Sequence, residues 1–181
     1  MFTRNWYKAL AAEMSRVNDT FQSVTGATQN LYANNYLYFF NYDDKFPSYP
    51  TIHKVQTTLG GNGGVIFGTG NTPPTIDDTT LSGSLISGFA YSKIVTTERG
   101  GDGVTFTALY TVTNNNAEAI TISEVAIIAN LTKSNTSPET RYKALVERTV
   151  LDTPVTIPAG GVGQVEYTIT LNLPTATTGT N

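Results

Sequence analysis

Residues 104–113 read VTFTALYTVT, and residues 164–173 near the end of the chain read QVEYTITLNL. In both stretches an apolar side chain occupies every second position. A period of two places successive side chains on opposite faces of a strand, so that one face is buried and the other meets water. This alternation is typical of antiparallel sheets with one solvated face. The side chains predicted to share one core are Val104, Phe106, Tyr110, Val112, Val165, Tyr167, Ile169 and Leu171.

Further short strands are predicted on either side of these two stretches. The full set is 52–58, 64–68, 84–96, 103–113, 119–130, 141–150 and 163–173. Turns rich in Gly, Pro and Asn separate them, and no helical pattern intervenes. The sequence therefore predicts a mainly β chain folded as an antiparallel β-sandwich, Ig-like or jelly-roll-like, with one short N-terminal helix.

The helix is predicted at residues 4–17, with Thr3 as its N-cap. Trp6, Leu10 and Met14 recur every fourth residue and form an apolar stripe. Because such a short helix is marginal alone, it must dock on a partner surface. Two surfaces remain open at this stage, its own sandwich and a neighbouring subunit. Residues 18–31, which are polar, are predicted to be a connector.

An aromatic band follows at residues 32–49, where Tyr36, Tyr38, Phe40 and Tyr42 alternate as in a strand. Core packing, a protein interface and sugar stacking each account for it. We divide the chain into a helical and aromatic docking segment (1–51), a sandwich domain (52–174) and a flexible tail (175–181). The predicted interface residues are Trp6, Leu10, Met14, Tyr36, Tyr38, Phe40 and Tyr42.

Composition excludes several functional classes. The 181 residues carry a net charge of −3 and only 14% charged residues, which argues against a nucleic-acid binder. The chain has no Cys, which excludes disulfides and thiolate sites, and it is rich in Thr, with 31. No stretch approaches the roughly 20 apolar residues of a membrane span. Residues 1–17 lack the apolar core of a secretion signal, so we expect synthesis in a cytosol and no membrane partner.

No motif for catalysis, a cofactor or a metal is found. His53 is the single histidine, and no nucleophile elbow accompanies it. The adjacent carboxylates of Asp77 and Asp78 are ligands that Ca²⁺ prefers. Adjacent side chains in a strand-like stretch point to opposite sides, however, so we favour turn capping over Ca²⁺ binding. We therefore expect no catalytic residue, no cofactor and no metal ion.

Four segments carry a resemblance to a known family. Segments 64–81 (GVIFGTGNTPPTIDDTTL), 120–128 (ITISEVAII), 144–151 (ALVERTVL) and 154–161 (PVTIPAGG) resemble, in this order, a recurring module of tailed-bacteriophage virion proteins. Ala126 departs from the pattern, which has glycine there. Within the module we expect Glu124 and Arg148 to pair across strands.

The same segments suggest individual structural roles. Gly68 and Gly70 are expected to allow either a positive φ or a close backbone approach. Asp78 is expected to cap the turn, and Leu81 to anchor it in the core.

The resemblance implies a non-enzymatic structural subunit of a tailed-bacteriophage virion, which would be synthesised in the cytoplasm of the host bacterium. It would act by assembly with copies of itself and with other virion proteins, in the tail, baseplate or fibre-attachment region rather than as a head decoration protein. One alternative is a carbohydrate-binding adhesin whose aromatic band recognises a host-surface glycan. Another is a hydrolase of the host envelope that uses Glu98, Glu118 or Glu124.

Overall fold

The structure, a computed structural model of the chain, describes residues 1–15, 17–31, 63–100, 103–133 and 140–172. These residues form one helix and eight strands, and the chain is mainly β. The elements are α1 (Arg4–Ser15), β1 (Asp19–Gln22), β2 (Thr28–Leu31), β3 (Gly64–Gly68), β4 (Phe89–Gly100), β5 (Gly103–Asn114), β6 (Ile120–Lys133), β7 (Thr140–Ile157) and β8 (Val162–Asn172).

The strands form three antiparallel sheets. Two are three-stranded, with the orders β3-β6-β7 and β4-β5-β8, and the third is the β1-β2 hairpin. Six of the predicted strands are confirmed, although β4 begins at Phe89 rather than at residue 84 and β7 extends to Ile157. The strand predicted at 52–58 and the tail at 175–181 lie outside the described residues.

The two three-stranded sheets pack face to face. Phe67 on β3 meets Tyr110 on β5 edge-on, with ring centroids 5.6 Å apart. The predicted core-facing residues Tyr110, Val112, Val165, Tyr167 and Ile169 are all buried in this shared core. Phe106 packs against it partly buried, and Val104 is half-buried. The alternation that predicted the sandwich is therefore confirmed on β5 and β8.

The β3-β6-β7 sheet is also covered on its outer face. A second cluster there contains Ile66, Leu81, Ala126, Ile128 and Leu145. Every residue of β3 is buried, because one face points to the shared core and the other to this cluster. Two covered faces explain why β3 reads GVIFG, with no polar alternation.

Residues 18–31 are not the predicted connector. They contain the β1-β2 hairpin, whose Phe21 and Leu31 are buried in the shared core. Gly26, with φ of 80°, adopts the left-handed backbone that the turn between the strands requires. The polar composition concealed the hairpin because only one residue of each strand is buried.

Helix α1 ends at Ser15, two residues earlier than predicted. Ala9 and Ala12 are 2% exposed and join the shared core, so the helix docks on its own sheets. Trp6 lies partly buried and stacks on Phe2 at 4.6 Å. No helix in the described part of the chain is long and apolar enough to span a membrane.

Replacement of Ile169 with Ala tests the core assignment. Ile169 is 6% exposed on β8, so the loss of its buried methyl groups should lower the free energy of unfolding by about 2–5 kcal/mol. Gln164→Ala on the exposed face of the same strand is the control and should change it by less than about 0.5 kcal/mol. Urea titrations measure both free energies of unfolding. Equal effects of the two substitutions would contradict the assignment of Ile169 to the buried face and Gln164 to the exposed face of β8.

Candidate functional site

A long loop, residues 69–88, connects β3 to β4 and folds back over the outer face of the β3-β6-β7 sheet. Two backbone hydrogen bonds join the two ends of the loop. Thr69 N–H donates to Ser84 O at 3.1 Å, and Ile86 N–H donates to Phe67 O at 2.9 Å. Leu81, 7% exposed, inserts into the outer cluster as the sequence predicted. The loop therefore lies against the strands that carry the largest group of buried charges.

The centre of the site is an ion pair between β6 and β7. Glu124 is fully buried and Arg148 is 1% exposed. Arg148 Nε donates to Glu124 Oε2 at 2.7 Å, which confirms the predicted cross-strand pair. A register shift between Ile122 and Glu124 interrupts the ladder beside it.

The carboxylate of Glu124 also binds both arms of the loop. Its Oε1 accepts hydrogen bonds from Gly70 N–H at 2.9 Å and Gly83 N–H at 2.8 Å. Its Oε2 accepts from Ser82 N–H at 3.1 Å and from the Ser82 hydroxyl at 3.2 Å. One side chain of the sheet thus fixes two parts of the loop that are twelve or more residues apart.

Arg148 completes the attachment with its other nitrogens. Nη1 donates to Asp78 Oδ2 at 2.6 Å, and Nη2 donates to Thr72 O at 2.6 Å and to Ser82 Oγ at 2.5 Å. Asp78 in turn accepts from Thr75 N–H at 3.0 Å and from the Thr75 hydroxyl at 2.8 Å, which is the predicted turn cap. We call Asp78, Glu124 and Arg148 the charge cluster.

The charge cluster keeps all three of its members ionised. Burial alone would raise the pKa of Glu124, but hydrogen bonds from Arg148 and from the backbone N–H groups of Ser82, Gly83 and Gly70 outweigh it, and the pKa lies below its usual value. The pKa of Asp78 is lowered in the same way, with Thr75 and Arg148 overcoming its desolvation. Desolvation opposes the charge of Arg148, yet the two carboxylates raise its pKa.

Close packing, and not a positive φ, accounts for Gly68 at the end of β3 and Gly70 at the start of the loop. A Cβ on Gly68 would lie 2.6 Å from Glu124 Oε1, and one on Gly70 would collide with Ser82 Oγ and Glu124 Oε1. Neither glycine has a positive φ. Of the two expectations for Gly68 and Gly70, close approach is thus confirmed and a positive φ is wrong.

A second buried acid, Glu147, lies beside the charge cluster on β7 but belongs to a different group of contacts. It accepts hydrogen bonds from the Met1 amino group at 2.6 Å, the Thr149 hydroxyl at 2.7 Å and the Tyr167 hydroxyl. Phe2 forms an antiparallel bridge with Glu147, so residues 1–3 lie along β7. Burial raises the pKa of Glu147, and the contacts with Met1 and Thr149 offset this only in part. Sequence reasoning did not single out this acid, which lies between Val146 and Arg148 in the run ALVERTVL.

The predicted interface residues occupy different environments. Trp6 is partly buried, Leu10 is 37% exposed and Met14 is 77% exposed. The predicted band residues Tyr36, Tyr38, Phe40 and Tyr42 lie outside the described residues, as does His53.

The carboxylates considered for hydrolysis do not share one site. Glu124 belongs to the charge cluster, Glu98 is exposed on β4 of the other sheet, and Glu118 is exposed in the loop before β6. Asp77 turns away from Asp78 and pairs with Arg4 at 2.6 Å. Among the described residues no three acidic, His or Cys side chains are grouped as a metal site would require.

An open cleft of about 530 Å³ lies at the base of the loop. Its lining includes Thr69, Ser87, Glu118 and Ile120 but no aromatic residue of the described chain. Glycan sites that stack sugars need an aromatic ring, so the cleft by itself offers a ligand short polar side chains and one exposed carboxylate.

The comparisons with known proteins identify no relative. No protein-family model, curated protein or solved structure matches the chain. The site is therefore interpreted from its own contacts.

Replacement of Glu124 with Gln tests the energetic role of the charge cluster. The substitution leaves Arg148 buried with a single carboxylate, and removing one partner of a buried pair costs about 3–5 kcal/mol. Glu166→Gln, on the exposed face of β8, is the matched control and should have little effect. Chemical unfolding measures both; an E124Q cost no larger than that of the control would show that the pair is dispensable.

The two buried acids predict opposite pH dependences. Because the folded-state pKa of Glu124 lies below its unfolded value, its stabilisation is present above the unfolded pKa and is lost as pH falls through the folded one. Glu147 has a raised folded-state pKa, so its ionisation destabilises the fold as pH rises from the unfolded pKa through the folded one. E124Q should therefore flatten the acid side of the stability profile, and E147Q should flatten the loss at higher pH. Thermal unfolding across the acidic to neutral range measures both slopes, and unchanged profiles would contradict the assignment.

Proposed function

We propose that the chain is a non-enzymatic structural subunit of a tailed-bacteriophage virion and acts by protein–protein assembly, in the tail, baseplate or fibre-attachment region. The observation that carries the proposal is where the virion-like segments lie. Segment 64–81 is β3 with the first part of its loop, segment 120–128 is the first part of β6, and segment 144–151 is the central part of β7. They are neighbours in one sheet, and the charge cluster joins all three. The resemblance thus covers one structural unit.

The engagement of the ionisable groups also favours a structural role. Glu124, Asp78 and Arg148 are saturated by hydrogen bonds to one another and to the loop. A general acid or base needs a pKa near the operating pH and access to substrate, whereas the pKa of Glu124 is lowered and its side chain is enclosed. The charge cluster therefore holds the loop in place and does not expose a reactive group.

The outer face of the β4-β5-β8 sheet suits packing between subunits. Thr96, Thr107 and Thr168 form one row across the three strands, and the hydroxyls of Thr107 and Thr168 are 3.3 Å apart. The next row contains Glu98, Thr105 and Thr170, and the hydroxyls of Thr105 and Thr170 are also 3.3 Å apart. Hydroxyl groups lose water at a much lower cost than charges do, so the Thr residues of this face can be covered at low cost, whereas Glu98 and Glu166 on the same face cannot.

The proposal predicts that the chain is a component of the finished particle. Gradient-purified particles of a phage that encodes it should contain the chain in a fixed number of copies, measured by quantitative mass spectrometry. A replication protein of the same phage is the control and should be lost during purification. Absence of the chain from the particles would overturn the proposal, and glycan-array binding by such a particle-free chain would favour the adhesin alternative.

A further inference from the structure

The first three residues of the chain lie along β7 and form hydrogen bonds with its backbone. Thr3 N–H donates to Val146 O at 3.0 Å, and Arg148 N–H donates to Met1 O at 3.1 Å. Thr3 is fully buried, and Val146 and Arg148 are each 1% exposed. This pairing places the amino group of Met1 at a defined point on β7, beside the buried acid Glu147.

Three acceptors surround the amino nitrogen of Met1. Glu147 Oε1 lies 2.6 Å from it, Arg148 O lies 2.5 Å from it, and Thr149 Oγ1 lies 3.4 Å from it. A primary ammonium has three N–H donors, so each donor has one acceptor. The carboxylate is 4% exposed and forms a salt bridge with the ammonium. We call these three acceptors the amine site.

An acylated nitrogen does not fit the amine site. A formyl group, an acetyl group or a preceding residue turns the ammonium into an amide with a single N–H and no charge. Such an amide would leave two acceptors without a donor and would leave Glu147 buried without its cation, which is costly. Removal of Met1 is also unfavourable. The carbonyl that accepts from Arg148 N–H would be lost, and the new amino group would lie about 3.5 Å away along the chain.

We propose that the α-amino group of Met1 is a processing site whose chemical state decides whether residues 1–3 complete the edge of β7. Met1 is retained, and its nitrogen carries no acyl group. The consequence extends to α1, because Phe2 stacks on Trp6 of the helix with ring centroids 4.6 Å apart. An amino group that is excluded from the amine site therefore weakens the docking of the helix as well.

A hydrolytic step must supply this amino group if the chain is made on bacterial ribosomes, where translation begins with N-formylmethionine. This step alone rests on the proposed function. Water adds to the formyl carbon, and the bond between that carbon and the Met1 nitrogen breaks. The products are formate and the ammonium that the amine site binds. The catalyst would be an amide hydrolase of the host that acts on new chains before residues 1–3 pack on β7.

A matched pair of full-length chains tests the amine site. Cell-free bacterial translation without a deformylase yields the N-formyl chain, and the same reaction with a deformylase yields the free amine. Intact mass distinguishes the two forms. In urea titrations the formyl form should have an equilibrium constant for unfolding about tenfold or more higher, as for the loss of a hydrogen bond between charged groups. Equal stability of the two forms would refute the inference.

Two variants show whether the effect acts through Glu147. In Glu147→Gln the formyl group should change the unfolding constant by less than about threefold, because no buried carboxylate needs the ammonium. Glu166→Gln removes an exposed carboxylate on β8 and should keep the full difference between the two forms. A difference in E147Q as large as in the wild type would overturn the role of this acid.

The wild-type pair provides the same test without a substitution, should E147Q fail to fold. The difference between the formyl and free forms should shrink as the pH falls, because a protonated Glu147 no longer needs a cation. A difference that stays constant through the acidic range would contradict the amine site.

Mass spectrometry of the chain from its natural source provides the last measurement. The first peptide should begin with unmodified Met1. A first peptide that is acylated, begins at Phe2 or begins upstream of Met1 would refute the inference and leave the proposed function standing. Absence of the chain from purified particles would instead refute the proposed function and leave the amine site in place.

Discussion

The buried pair of Glu124 and Arg148 is the interaction on which the rest of the structure depends. Burying two charges is costly, and the mutual attraction compensates only when the remaining donors and acceptors are satisfied. Here they are satisfied by the loop, through the backbone N–H groups of Gly70 and Gly83 and the carbonyl of Thr72. The pair and the loop therefore stabilise each other. The loop that they hold covers the outer apolar cluster, so the sheet is buried on both faces.

In this arrangement the ionisable groups of the charge cluster stabilise the fold. The outer face of the β4-β5-β8 sheet remains exposed. The β3-β6-β7 sheet and the loop attached to it contain most of the segments on which the proposed resemblance rests. The outer face of the other sheet is rich in Thr and carries the exposed carboxylates Glu98 and Glu166. Under the proposed assembly function, this core would present surfaces whose hydroxyl groups lose their water at low cost.

The sequence predicted the parts of the fold that local patterns encode. Alternation identified β5 and β8, and the order of the virion-like segments suggested both the Glu124–Arg148 pair and the cap at Asp78. The sequence did not predict the β1-β2 hairpin. The hairpin is stabilised by the burial of Phe21 and Leu31 against strands that are distant in the sequence, and no local pattern reports such contacts. Nor could the sequence decide which face of α1 is buried. The stripe of Trp6, Leu10 and Met14 is the more apolar one, yet Ala9 and Ala12 are the residues buried in the core. Asn5 exchanges two hydrogen bonds with the backbone of Gln22 in β1 and so helps to fix the buried face, but nothing in the sequence distinguishes it from other polar residues. Of the predicted interface, Trp6, Leu10 and Met14 are located, and the aromatic band lies outside the described residues.

Amide hydrogen exchange of Gly70 and Gly83 tests most directly whether the charge cluster fixes the loop. Both N–H groups donate to one buried carboxylate oxygen, so they should exchange only when the sheet itself opens, as slowly as the amide of Ile127 in β6. The amide of Thr25, in the exposed hairpin turn, should exchange much faster and serves as the internal reference. If Gly70 and Gly83 exchange at the rate of Thr25 while Ile127 stays protected, the loop opens independently of the sheet and the account is contradicted.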